Sequence, residues 1–308
     1  MKRSNQIGKP KNMELKNYFE VEIEKYVPND KRKVYRPASL NYPKNEAVMF
    51  VTEGFMKYSD ALLRCRDCLV FWPKNIEVPF EIQDRHAVVL VDDPHNAFAH
   101  FFSENNIIYL PSNDEIDVIN GAYISKKAKI GNGCKIFPGA YIGSEVVIGE
   151  NTYIGSGVKI IGEVKIGNNV VIRENTVIGA DGLTTDRDQN GHALTIPQFG
   201  GVIIEDYVQI GALTVVGRGA IDYTVIKRGS KIDNSCFISH NVIIEEDAFI
   251  VGETIMFGSS SLGKQGYISG NSTIRDGRHV GAYAKVGMGA VVTKNISDGA
   301  VVKGNPAR

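Results

Sequence analysis

The sequence lacks most of the features by which several large classes of protein are recognised. Four cysteines in 308 residues cannot frame a disulfide-stapled secreted fold of this size. Lys plus Arg (35) equals Asp plus Glu (35), so no overall field favours nucleic acid or an anionic membrane, although local basic patches remain open. No apolar run approaches the roughly 18 residues of a membrane span, and the N-terminus has no signal-peptide core. Nucleic-acid and integral-membrane contacts are therefore not expected, and the cytoplasm is the expected compartment. Cys65 and Cys68 have the spacing of half a zinc site, but no second pair completes it; they are read as packed thiols and no metal is expected. The second half of the chain also lacks both the 3.6 period of a helix and the plain alternation of an ordinary sheet.

What is there instead is a period of six. From Ala122 the chain divides into six-residue words (AYISKK, AKIGNG, CKIFPG, AYIGSE, VVIGEN and onward) whose third letters are Ile124, Ile130, Ile136, Ile142, Ile148, Ile154, Ile160, Ile166, Ile172 and Ile178. The words resume at Val202, slip over Ala220 to Tyr223, and run again from Thr224 to Asn295 with Ile226, Ile232, Ile238, Ile244 and Ile250 among their third letters. One inward aliphatic residue per word, with glycine frequent at the next place, is the pattern of a solenoid of short strands and tight corners. The fold class is mainly β. Gly182 to Gly201 is too polar and glycine-rich to continue the coils, and an excursion of that length from a regular scaffold marks a functional loop.

The first part of the chain has another texture. Residues 1–12 are basic, polar and patternless and read as a flexible tail, with Met13 an alternative start. From 13 to 108, AVMFV (Ala47 to Val51), CLVFW (Cys68 to Trp72) and HAVVLV (His86 to Val91) read as strands. KYSDALLRCRDC has a helical period, and the run after Asp93-Pro94 is a helix opened by proline at its first turn. This is a small α/β domain, joined by a linker over 109–121 to the hexad region of 122–308.

If three words make one coil, residues eighteen apart lie at the same corner of successive coils, about 4.8 Å apart by strand spacing. His240 then has Gly258 on one side and Asp222 on the other. A carboxylate, an imidazole and a glycine N–H in one file form a constellation for acyl transfer: a base, an oxyanion donor, and an acid to fix the tautomer.

These patterns resemble the hexapeptide-repeat, left-handed β-helix acyltransferases, and in particular the UDP-3-O-acylglucosamine N-acyltransferases. The resemblance is carried by the hexads, by Asp233, Asn234, Cys236, His240 and Asn241 in a D-N-x-C-x-x-x-H-N string, by Gly258 in its IMFGS run, and by Ile196, Pro197, Gln198 and Gly200 at the end of the loop. It implies the left hand of the helix, His240 as general base, Gly258 as oxyanion donor, Asp233 and Asn241 in the site, and Gly289 near the thioester donor. It also implies a uridine-binding N-terminal domain in which Tyr58 falls on one of two uracil-holding rings. The other ring's place is taken by Thr52, with Phe55 or Phe50 as substitutes; Phe50 reads better as core. His279 stands two or three residues beyond the family's second histidine, either as a phosphate contact or as a residue of a coil edge. His192 reads as a loop histidine. An acyl carrier protein donor, a UDP-amino sugar acceptor, a lipid A setting and a homotrimer follow from the same likeness.

The ending, GAVVTKNISDGAVVKGNPAR, is instead similar to that of acetyl-CoA-dependent sugar acetyltransferases, which keeps that donor open. A non-catalytic solenoid platform is a second alternative. A zinc-dependent hydratase ranks below both, because His192, His240 and His279 share no coil spacing.

Overall fold

Strands of two or three residues cannot satisfy their backbone groups against a neighbour next in sequence, so each must bond to the coil above and the coil below. The computed structural model, which describes residues 16–110 and 115–308, has that arrangement. Past Ile108 the strands form sheets of nine, ten and eight strands, parallel throughout except for one edge strand. One coil consists of Lys231–Ile232 on a first face, Phe237–Ile238 on a second and Ile243–Ile244 on a third. Phe249–Ile250 then returns to the first face, in register with Lys231–Ile232.

The third letters of the hexads all point inward. On the first face Ile154, Ile172, Ile210, Ile232, Ile250, Ile268 and Val286 pair in succession, and none is more than 3% exposed. With their equivalents on the other two faces they form one continuous apolar core. Burial of this row is the main favourable term that holds the coils together.

Two departures from the eighteen-residue step displace the register without breaking it. The insertion lengthens one step to 38 residues, as in the bond from Asn168 N–H to Asp206 Oδ1, and Ile172 still pairs with Ile210. Its tip is an antiparallel hairpin, Thr185–Arg187 with Ala193–Thr195, and its end returns to the body with Ile196, Gln198 and Phe199 buried. The slip at Ala220 to Tyr223 lengthens a later step to 22 residues, as between Ala212 and Asn234, and Phe237 pairs with Val215.

Ile116–Ile119, assigned to a linker on sequence grounds, forms a strand antiparallel to Ala122–Ser125. Asn120 (φ 50°) and Gly121 (φ 80°) make the turn, which is the Asn-Gly signal of a two-residue hairpin. At the other end the coils continue beyond Asn295: Ile296 bridges to Val280 and Val301–Val302 pairs with Lys285–Val286.

The chain divides into two compact units between Ile107 and Ile108. The first carries a four-stranded parallel sheet in the order Arg36–Pro37, Ala47–Phe50, Leu69–Pro73, Ala87–Val91. The short first strand has too few apolar residues to stand out in the sequence. Helix Pro94–Glu104 has proline in its first turn, and the Asp93 side chain accepts from the N–H groups of His95 and Asn96. Glu53–Arg64 is wound as 3₁₀ turns. The tail at 1–12, the start at Met13 and Pro111 of the linker lie outside the described residues.

Ile154 is wholly buried, with an aliphatic partner on each neighbouring coil. Ile154→Ala is expected to remove about 2–5 kcal/mol of stability, read as a lowered denaturation midpoint by far-UV circular dichroism. An unchanged midpoint would show that the inward row does not hold the coils.

Candidate functional site

The corner between the second and third faces is built by residues with left-handed backbone, Asn241 (φ 59°), Ser259 (φ 57°) and Gly277 (φ 63°). The residues just before them, His240, Gly258 and Asp276, form a vertical file. Ser259 N–H donates to His240 C=O at 2.9 Å and Gly277 N–H donates to Gly258 C=O at 2.9 Å, so the file is locked coil to coil.

Gly258 lies against the imidazole. A Cβ added there would stand 2.4 Å from Cε1 and 2.5 Å from Nε2 of His240, so any side chain would displace the ring. Gly182, the first residue of the insertion, closes the other side, where an added Cβ would lie 2.9 Å from His240 Cδ2. Among the described residues the Gly258 N–H has no partner, although the residue is buried. A buried donor left unbonded is costly, and it is what an oxyanion site requires.

The tautomer of His240 follows from its neighbour. Asn241 Oδ1 accepts the Ala220 N–H at 3.0 Å, which identifies the amide oxygen, and His240 Nδ1 lies 3.1 Å from the same atom. Nδ1 must therefore carry the hydrogen, leaving the Nε2 lone pair available as a base. The imidazole is half-buried.

Asp222 does not join this file. The four-residue slip changes the step below His240 from eighteen to 22, so pairing of Phe237 with Val215 aligns His240 with Arg218. The Asp222 backbone carbonyl instead packs against Gly200 and Gly219. The orienting acid expected from the sequence is replaced by the Asn241 amide. Arg218, which sequence reasoning missed, is 1% exposed, pairs with the Asp181 carboxylate and sits 4.6 Å from the centre of the Tyr109 ring. Its only signal in the sequence is an arginine between two glycines at a coil corner.

The other residues of the sequence reading are distributed elsewhere. Asp233 lies at the corner between the first and second faces and accepts the Gly252 N–H at 3.1 Å. Gly289 (φ 67°) lies at that same corner three coils further on, with open space where a side chain would be. A whole face separates this edge from His240. His279 opens a third-face strand in register with Ser261, whose Oγ is 2.9 Å from its Nδ1; the residue that follows Gly258 in the file is Asp276. His192 sits on the insertion hairpin with Nδ1 3.0 Å from Asp188 Oδ2. Cys236 is a buried thiol pushed up to about 11 by desolvation.

In the first unit Phe55 and Tyr58 project from the segment Glu53–Arg64, 54% and 38% exposed. Their ring centroids are 6.2 Å apart, and Lys57 Nζ lies 5.0 Å from the centre of the Tyr58 ring. Phe50 is half-buried, with its ring centroid 4.8 Å from that of the buried Phe98. Cys65 and Cys68 are joined by His86, which the sequence reading did not single out, and the three ligand atoms lie within 4.8 Å of one another. Both ring nitrogens of His86 are already engaged: Nδ1 accepts the Cys68 N–H at 3.3 Å and Nε2 donates to Leu62 C=O at 3.0 Å. A metal would have to displace one of these bonds.

Residues 127–162 and 145–180 match the family model described as bacterial transferase hexapeptide (six repeats). The UDP-3-O-acylglucosamine N-acyltransferase of Campylobacter lari is 36% identical over 127 residues, 41% of this chain and 40% of that protein. A second such enzyme, from Sulfurimonas denitrificans, is 38% identical over 128 residues, again 41% and 40% of the two chains. The chain thus matches about two fifths of the length of these relatives. Among solved structures, a UDP-N-acetylglucosamine acyltransferase from Bacteroides fragilis superposes with a TM-score of 0.56 at 24% identity, covering 62% of this chain and 73% of that one. These structures share the left-handed β-helix. The chain is a left-handed β-helix of six-residue repeats, matched over residues 127–180 by the bacterial transferase hexapeptide model and similar over two fifths of its length to UDP-3-O-acylglucosamine N-acyltransferases.

Proposed function

We propose that the chain is an N-acyltransferase that moves an acyl group from a thioester to the amine of a UDP-linked amino sugar, in a lipid A type of pathway. The observation that carries this reading is the packing of Gly258, whose N–H has no partner among the described residues, against an imidazole whose Nε2 lone pair is left free by Asn241. As the amine attacks the thioester carbonyl, His240 Nε2 takes its proton. Oxygen then gathers negative charge and is met by the Gly258 N–H. Collapse of the tetrahedral intermediate expels the thiolate, which takes the proton back from His240. The partner on Nδ1 is a neutral amide, so it fixes the ring's orientation and leaves the imidazole to cycle between neutral and protonated forms. The exposed pair Phe55 and Tyr58 offers the aromatic surface on which a uracil ring stacks.

As donor we propose an acyl carrier protein thioester, with acetyl-CoA the alternative. As assembly we propose a homotrimer, and as compartment the cytoplasm, where such thioesters are made. The trimer is supported by the outer row of the second face, where Val177, Val215, Phe237 and Ile255 stand in register on successive strands, followed by Thr273 and Val291. An apolar row on a flat face needs a cover. A three-fold arrangement would also bring the edge that carries Asp233 and Gly289 against the His240 edge of a neighbour.

His240→Ala is expected to lower turnover about 10²–10⁴-fold, the usual contribution of a general base, measured by mass analysis of the product with each donor in turn. Gly258→Ala is expected to fail comparably while keeping the far-UV spectrum. Turnover unchanged in His240→Ala would contradict the mechanism, and transfer from acetyl-CoA alone would remove the carrier-protein donor. Phe237→Glu places a charge in the proposed subunit contact and is expected to shift the mass by light scattering from trimer to monomer. An unaltered mass would exclude this face from the interface.

A further inference from the structure

Cys65 caps the C-terminal end of the segment Glu53–Arg64, its N–H bonded to Leu62 C=O, and Cys68 immediately precedes the strand Leu69–Pro73. Asp67, with φ 59°, folds the chain back between them. The two sulfurs are thereby brought to 3.8 Å. Cys65 is 3% exposed and Cys68 is fully buried, both in the core cluster that holds Leu62 and Trp72. His86 ties the same turn together, because its ring bonds Leu62 C=O at the helix end and the Cys68 N–H at the strand start. With both nitrogens occupied, the imidazole serves the backbone and the two thiols face each other.

We propose that Cys65 and Cys68 form a redox pair that reacts with a hydroperoxide and closes to a reversible disulfide, resetting the segment that carries Phe55 and Tyr58. The Cys65 thiolate attacks the peroxide oxygen and water or an alcohol leaves, giving a sulfenic acid. The Cys68 sulfur then attacks Cys65 Sγ, and the sulfenic oxygen departs as water. Two thiols and one hydroperoxide thus give one disulfide, one water and the reduced peroxide product, and an external thiol reverses the reaction. The hydrogen bond from Cys68 holds the Cys65 thiol below its ordinary range, whereas that same contact and burial push Cys68 up. This assigns Cys65 as the first nucleophile. Closure from 3.8 Å to a bond of about 2.05 Å draws the end of the Glu53–Arg64 segment toward the strand. The modification stands independently of the acyltransferase reading, since its test uses neither substrate nor turnover.

The test is peptide mapping of the full chain after hydrogen peroxide treatment, denaturation and alkylation. The expected result is a Cys65–Cys68 cross-link lighter by two hydrogen atoms and removed by dithiothreitol. The Cys68→Ser variant is expected to stop at a Cys65 sulfenic acid trapped by dimedone. Hydrogen exchange of residues 53–64 is expected to change between the reduced and oxidised forms, while that of the solenoid core stays constant. Alkylation of both cysteines after peroxide, or stoichiometric zinc in the purified protein that blocks cross-linking, would overturn the redox pair. A cross-link without any change of exchange in 53–64 would overturn its coupling to the aromatic segment.

Discussion

The structure depends on the backbone bond that links each short strand to its counterpart one coil away. Strands of two residues have no stability alone, and neither does a single hexad. When the coils are stacked, however, every corner residue has a fixed neighbour above and below, and the inward isoleucines of all three faces merge into one core. Chemistry on such a scaffold is set by register. A residue reaches its partner because a ladder of parallel bonds aligns them, with little adjustment left to the side chains.

The His240 corner shows how much follows from that ladder. The bond from Ser259 N–H to His240 C=O places Gly258 flat against the ring, and the absence of a side chain lets it remain there. The left-handed backbone of Asn241 turns its amide back to the preceding imidazole and to the Ala220 N–H together. A base with a defined tautomer and an unbonded donor thus arise from corner geometry alone. The second unit departs from regularity at the insertion and the slip, and both meet this corner through Gly182 and Ala220.

The hexads were legible because their period belongs to no other regular structure, and the pairing of His240 with Gly258 followed because no irregularity intervenes between them. The placement of Asp222 failed for the opposite reason. Counting eighteen residues across the slip assumes a step that the four extra residues lengthen to 22, so Arg218 takes the position. The strand Ile116–Ile119 was hidden by its flanking polar residues, although the Asn120-Gly121 turn announces it. His86 was hidden because its partners are 18 and 24 residues away in sequence, brought close by a parallel sheet whose pairing no local pattern encodes.

The account stands on His240 Nε2 being the atom that meets the acceptor amine. The most direct measurement is a crystal structure of the protein soaked with a UDP-linked amino sugar. It is expected to place the sugar nitrogen within about 2.6–3.2 Å of His240 Nε2, on the side of the ring against which Gly258 packs. A sugar amine bound at another edge of the helix, with His240 contacting only solvent, would contradict it.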